Sequence, residues 1–208
     1  MATHPRTLEV KTLEEFLRWS RIDEKPYLEY IDGRIEVKVS PQRKHSAIEG
    51  KLCQALDQFA EPSRLGLAMP ELRCTFAGRS IVPDIVFHLN KNIQTDETGV
   101  FVNEVFIPPD IHVEIRSPGQ SVKKTKQKLE HSVASGCTLG WSIDPERETI
   151  DVYRPGADPE RLSPDGFLDG APVLPGFRHA VAEVFGWLRY RPDNRRQDDP
   201  DQGPAGRQ

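Results

Sequence analysis

Cysteine, long apolar runs and excess positive charge are all scarce in this sequence. Cysteine occurs three times in 208 residues, at Cys53, Cys74 and Cys137, with no CxxC pair. The odd number and wide spacing argue against a disulfide framework or a cysteine-built zinc site; they fit buried reduced thiols in a cytoplasmic protein. No run of about 18 apolar residues exists, so no membrane span is expected. The first residues, MATHPRTLEV, lack the apolar core of a signal peptide. Lys and Arg number 28 against 32 Asp and Glu, a formal net charge of −4. Proteins that coat nucleic acid without specificity are usually basic. That class is disfavoured, whereas a local basic groove is not.

The length suits one domain with tails. After Leu188 the chain reads RYRPDNRRQDDPDQGPAGRQ, with no aliphatic side chain larger than Ala. Such a segment cannot bury enough apolar surface to offset the entropy of ordering it. One domain over residues 1–188 and a disordered tail over 189–208 are therefore expected.

Within the domain, Thr12 and Glu15 form a capping-box signature ahead of Leu13, Phe16 and Leu17, which predicts a short helix. Residues 27–39, YLEYIDGRIEVKV, are two alternating runs around Asp32-Gly33, a strong hairpin signal. From Arg43 to Ala60, Ile48, Leu52, Ala55, Leu56 and Phe59 recur at helical spacing. Residues 67–76 and 80–87 read as two strands, and 90–109 as a long polar connection, a length that is often functional or mobile. A strand DIHVEI at 110–115 precedes a helix over 121–135, with Val122, Leu129 and Val133 on one face and Gly136 as its C-terminal stop. A hairpin around Asp144-Pro145 and a short helix near 180–187 complete the domain. Mixed rather than strictly alternating elements point to an α/β fold with one mixed sheet flanked by helices.

Two acids lie inside apolar strands: Asp84 in IVPDIVF and Glu114 in IHVEI. A buried carboxylate is costly unless something pairs with it. Mg²⁺, which takes few protein carboxylates and keeps several waters, is one such partner. Either acid alone is more simply a strand-end residue facing solvent or a structural ion pair; the pair, together with the basic stretch after Glu114, favours a site. Between Arg116 and His131 the chain carries Arg116, Lys123, Lys124, Lys126 and Lys128 against the single acid Glu130. Most lysine runs are solvated helix faces. The position directly after an acid-bearing strand favours a functional role for one of these lysines, as a group that orients water or stabilises phosphate charge.

The segments LEYIDGRIE, SPQRKH, VPDIVF, HVEIRSP, KLEHSVASG, WSIDP, DVYRP and VLPGF, in this order and spacing, resemble the Uma-two family of proposed restriction endonucleases, within the PD-(D/E)xK nuclease superfamily. The resemblance runs from about Leu8 to Phe185. It implies a restriction-endonuclease-like core, a central mixed sheet flanked by helices. It also implies that Asp84 and Glu114 are metal ligands together with the backbone carbonyl of Ile115, with Mg²⁺ (or Mn²⁺) as the ion. The lysine that other nucleases of the superfamily carry two residues after the second acid would fall at Arg116; in this family it moves to the next helix, at Lys128. Glu29 and His45 match further site positions. Read alone, Glu29 in an alternating strand faces solvent, and His45 bonds Glu49 one helical turn on. Two positions depart from the family: Lys124 stands where an aspartate is usual, and Ser132 where a tyrosine is usual.

The resulting expectation is a metal-dependent endonuclease that hydrolyses DNA phosphodiesters. Asp84, Glu114, Lys128, Glu29 and His45 would be catalytic, and Lys124 and Arg116 would contact nucleic acid. A homodimer is expected because cutting both strands needs two sites. The alternative is a catalytically inactive nuclease-fold module that binds nucleic acid or protein. A structural dimer is a third reading, in which Asp84 and Glu114 would either lie far apart or be paired with Arg116 or Lys128 without room for a metal. Trp141 and Tyr153 read as core residues.

Overall fold

In the computed structural model, residues 12–189 are described. The tail expected over 189–208 lies, apart from Arg189, outside them. Helix α1 (Leu13–Leu17) starts where Thr12 accepts a hydrogen bond from the Glu15 amide at 3.1 Å. Strands β1 (Leu28–Ile31) and β2 (Arg34–Val37) pair antiparallel across Asp32 and Gly33. Both of these residues have positive φ, 50° and 78°, as a type I′ turn requires. Helix α2 (Arg43–Ala60) has the expected bounds and buries Ile48, Leu52 and Leu56.

Each of the two strands expected over 67–87 is in fact two. The first divides into β3 (Gly66–Pro70) and β4 (Cys74–Phe76), broken at Glu71, whose φ is +50°. The second divides into β5 (Arg79–Ile81) and β6 (Ile85–Leu89), interrupted by Val82, Pro83 and Asp84. Pro83 cannot donate to a ladder. Both breaks carry the chain from one sheet to another. The sheet of order β2-β1-β5-β4 is antiparallel.

Beyond the 90–109 connection lies β7 (Ile111–Ile115). After it come α3 (Val122–Ala134), β8 (Leu139–Asp144), β9 (Thr149–Tyr153) and β10 (Glu160–Arg161). These build a six-stranded sheet of order β10-β9-β8-β7-β6-β3, in which only β7 and β8 run parallel, joined by the crossover helix α3. The described residues close with a small ribbon, β11 (Phe167–Asp169) and β12 (Arg178–Ala180), and α4 (Val181–Gly186). The fold is thus mixed α/β, with a second sheet that the sequence reading did not separate.

Helix α2 packs on one face of the larger sheet against β3, β6 and β7, and α3 packs against β7, β8 and β9. Ile111, Val113 and Ile115 of β7 join Ile48, Leu52 and Trp141 in the main core. The alternate residues His112 and Glu114 therefore point to the α3 side. Of the face expected of helix α3, only Leu129 is fully buried. Thr125, Lys128, Leu129 and Ser132 are its buried residues, while Val122 is 51 % exposed. Three polar side chains, Thr125, Lys128 and Ser132, take inward positions, and the last two meet a polar site beneath them.

Side chains fasten the smaller sheet in place. Arg79 makes a two-pronged bond to the Asp32 carboxylate, at 2.8 and 2.7 Å, and reaches the Gln127 carbonyl of α3. Arg73 donates to the carbonyls of Ile22 and Leu28 and to the Ser80 hydroxyl. At the edge of the larger sheet, Gly66 leaves no room for a side chain: a Cβ would stand 2.1 Å from the His88 carbonyl oxygen and 2.7 Å from the Phe87 ring. Gly66→Ala should destabilise the protein by about 1–3 kcal/mol through overpacking, measurable as a lower urea midpoint with an unchanged slope.

Candidate active site

The five side chains singled out as catalytic meet in one place, where the two sheets and the two long helices converge. Asp84 sits in the break between β5 and β6. Its backbone is held on both sides: its N–H donates to Val113 O at 3.1 Å, and its carbonyl accepts from the Glu71 N–H at 3.0 Å. Asp84, directly before β6, and Glu114 of β7 each lie one residue beyond the antiparallel Ile85–Val113 pair, so the two acids stand beside one another. Both are 2 % exposed.

Asp84 has three partners. Its Oδ2 accepts from the Ile115 N–H at 2.6 Å and lies 3.1 Å from His45 Nε2. Its Oδ1 lies 2.8 Å from the Lys38 ammonium. Glu114 is held through Oε1, by Lys128 Nζ at 2.6 Å and His112 Nε2 at 2.9 Å. Lys128 also bonds Glu29 Oε1 at 2.9 Å, and that oxygen accepts from the Val82 N–H at 2.7 Å. Glu29 is therefore a buried member of the cluster and does not face solvent. Strand β1 is covered on both faces, with Tyr30 packing against Phe16 and Ile22 on the other side. Of the two arrangements the structural-dimer reading allowed, the acids do not lie apart, and Lys128 pairs with Glu114.

His45 does not bond Glu49: its Nδ1 is 3.7 Å from Glu49 Oε2 and makes no hydrogen bond, and Asp84 is its partner instead. Of the two residues assigned to nucleic acid, Arg116 is turned away, paired with Asp144 and bonded to the Gln120 carbonyl. Lys124 is exposed and forms an ion pair with Glu36 at 2.9 Å. With Arg34, Arg79, Lys123 and Lys128, and with the acids Asp32 and Glu36, it lines a cleft of about 490 Å³ that shares Lys128 with the site.

Two contributors were missed in the sequence. His112 is fully buried and links Glu114 to Ser132, whose Oγ is 2.7 Å from His112 Nδ1. The signal was available, because residues two apart in a strand share a face. Lys38 was the other. Val37 and Val39 are 60 % and 49 % exposed, so Lys38 takes the inward position between them.

Three buried carboxylates, Glu29, Asp84 and Glu114, thus face two ammonium groups, Lys38 and Lys128. Burial alone would raise both Asp84 and Glu114. Lys38 and His45 overcome this at Asp84 and hold it well below the usual carboxylate range. Lys128 and His112 lower Glu114. Burial would lower Lys128, but Glu114, Glu29 and Asp84 together raise it, so it remains protonated at neutral pH. Burial likewise opposes charge on His45, and the Asp84 carboxylate outweighs it and raises the imidazole. Glu49 is raised, chiefly by its own burial.

A scan against family models matches residues 13–182 to the Uma2 family, described as "Putative restriction endonuclease". The chain belongs to this family. Among solved structures, the chain is similar to "a putative nuclease belonging to DUF820" from Anabaena variabilis, at 36 % identity and a TM-score of 0.82, covering 86 % of this chain and 99 % of that one. No protein of curated function matches. The family and the nuclease-like fold support a hydrolase that acts as a nuclease. Families of this restriction-endonuclease-like kind generally use a divalent metal. Among the described residues, no helix is long and apolar enough to cross a membrane.

Trp141 and Tyr153 are core residues, as expected. Cys74 and Cys137 are buried, while Cys53 is half-buried; all three are free, and burial pushes their thiols up to about 11 at Cys53 and about 12 at the other two.

The charge balance leads to two expected outcomes. Lys128→Met leaves Glu29 and Glu114 without their shared counter-ion and should cost about 3–5 kcal/mol in urea denaturation with chelator present. Because Glu114 is lowered on folding, its contribution is complete above the ordinary carboxylate pKa of ~4 and is lost as pH falls through the folded value. Wild type should therefore lose melting temperature more steeply than Glu114→Gln as pH is taken from neutral to about 3, and parallel curves would contradict this.

Proposed function

We propose that this protein is a divalent-metal-dependent endonuclease acting on DNA phosphodiester bonds. The observation that carries the reading is the juxtaposition of Asp84, directly before β6, with Glu114 of the neighbouring β7, both buried, with Lys128 against Glu114. The donor chemistry fits a metal. Two hard carboxylates share one spot, buried acids outnumber lysines there, and both partners of Glu114 fall on Oε1, leaving Oε2 outside these bonds. Among the described residues no group of three His, Cys, Asp or Glu side chains could hold an ion. The donor set would therefore be two carboxylates with a backbone carbonyl and water, and Mg²⁺ takes few protein carboxylates and keeps several waters.

Asp84, Glu114 and the Ile115 carbonyl would hold the ion. The Ile115 N–H already points at Asp84, and in an extended strand residue the carbonyl leaves on the same side. A divalent ion supplies charge neutralisation at the phosphate and acidifies water. The protein supplies the rest. Lys128, kept protonated, is a hydrogen-bond donor and a positive charge for the phosphoryl oxygens as negative charge builds on them. It is not a general base. Glu29 fixes Lys128 from the other side, with its own carboxylate anchored by the Val82 amide. Ser132 and His112 orient Glu114. His45 steadies Asp84. In the cleft the basic Arg34, Arg79, Lys123 and Lys124 outnumber Asp32 and Glu36, which offers a path for the DNA backbone, and Lys124, where the family often has an aspartate, adds to that positive charge. Arg116 serves the fold through Asp144 instead. Cutting both strands would use a homodimer.

A second reading has its own support. Asp84 is already neutralised by Lys38 and Glu114 by Lys128, which suits an inactive nuclease-fold module that binds nucleic acid or protein. Supercoiled plasmid with Mg²⁺ or Mn²⁺ separates the two. Wild type should nick or linearise it. Asp84→Asn and Lys128→Met, checked for folding by circular dichroism, should lose about 10²–10³-fold in rate. Equal cleavage by all three proteins, or none by wild type, would sink the nuclease proposal.

A further inference from the structure

Lys38 is an unusual residue for its position. It comes directly after β2, its N–H is bound to Tyr27 O at 2.8 Å, and its side chain is only 9 % exposed. The inward position of an alternating segment ordinarily carries an apolar side chain. Here it carries an ammonium group that donates to the Val82 carbonyl at 2.9 Å and lies 2.8 Å from Asp84 Oδ1. The other Asp84 oxygen is committed to the Ile115 N–H and His45. Oδ1 is therefore the oxygen an incoming cation could take without breaking the backbone bond that aims the carboxylate, and Lys38 sits on it. Lys128 cannot fill this role, because it is engaged by Glu29 and Glu114.

We propose that Lys38 is a built-in counter-cation of Asp84 which a divalent metal ion must displace, so that this one lysine sets the metal affinity of the site. The inference rests on the reading of Asp84 as a metal ligand. An ammonium group on a flexible four-carbon stem can withdraw from a carboxylate, unlike a rigid guanidinium fork. While it stays, it competes for the same oxygen and repels the approaching ion. Both effects weaken metal binding. Both also keep Asp84 compensated in the metal-free protein.

The test is calorimetric titration of Mn²⁺ into the full chain, wild type against Lys38→Met, with thermal melts in chelator and in saturating Mn²⁺. Lys38→Met should bind Mn²⁺ at least about tenfold more tightly, a factor of ten being about 1.4 kcal/mol. Its metal-free form should melt below wild type, and Mn²⁺ should raise its melting temperature by more. Lys38→Gln retains a donor for the Val82 carbonyl; it should shift affinity in the same direction and replaces the Met variant if that does not fold. Binding by wild type together with equal or weaker binding by the folded variants overturns the role of Lys38. No Mn²⁺ binding by any of the proteins overturns the metal-ligand reading of Asp84, and the inference with it.

Discussion

Charge buried away from water must be balanced where it stands. Glu29, Asp84 and Glu114 occupy a space nearly closed to solvent, and each is tolerable only because a lysine, a histidine or a backbone N–H meets it there. That requirement reaches back into the fold. It explains why α3 turns Lys128 and Ser132 inward where an ordinary amphipathic helix would place aliphatic residues, and why β7 is buried on both faces although every second residue is polar. It also explains why the chain leaves its ladder at Val82, Pro83 and Asp84: the break frees the Val82 amide and carbonyl to serve Glu29 and Lys38.

Local chemistry was legible in the sequence, and tertiary context was not. The Asp32-Gly33 turn, the span of α2 and the cap at Thr12 depend on spacing and on individual residues, and each was found where the pattern placed it. The runs at 67–76 and 80–87 looked like single strands because apolar content alone does not reveal a change of sheet; Pro83 was the one warning. Val122 matched helical spacing, yet its side chain is exposed because a polar cluster took the face beneath α3. The acids Asp84 and Glu114 stood out as polar residues in apolar strands. Glu29 did not, since an alternating strand looks half-exposed until a second layer covers its polar face. Lys38 was hidden for the opposite reason: lysine is so common at surfaces that an inward one leaves no mark without the exposure of its neighbours.

The family match and the similarity to a solved nuclease-like chain establish the type of fold, and the residues determine what that fold could do here. The two positions expected to depart from the family pattern each have a clear place in the structure. Ser132 bonds His112 and through it meets Glu114. Lys124 faces the cleft, where it is tied to Glu36 by a partly exposed ion pair that contributes little to stability and is easily exchanged for another anion. Neither departure disturbs the buried pair of acids.

The break at Asp84 also bears on how the molecule folds. Glu29 and Lys38 arrive with the small sheet, Glu114 with the large one, Lys128 with the crossover helix between β7 and β8, and His45 with the opposite helix. The ion pairs that join them span distant parts of the chain, so loops must close before any of them forms. The cluster can therefore be completed only after both sheets have docked, and partial opening along their seam would dismantle it while leaving much of the core intact.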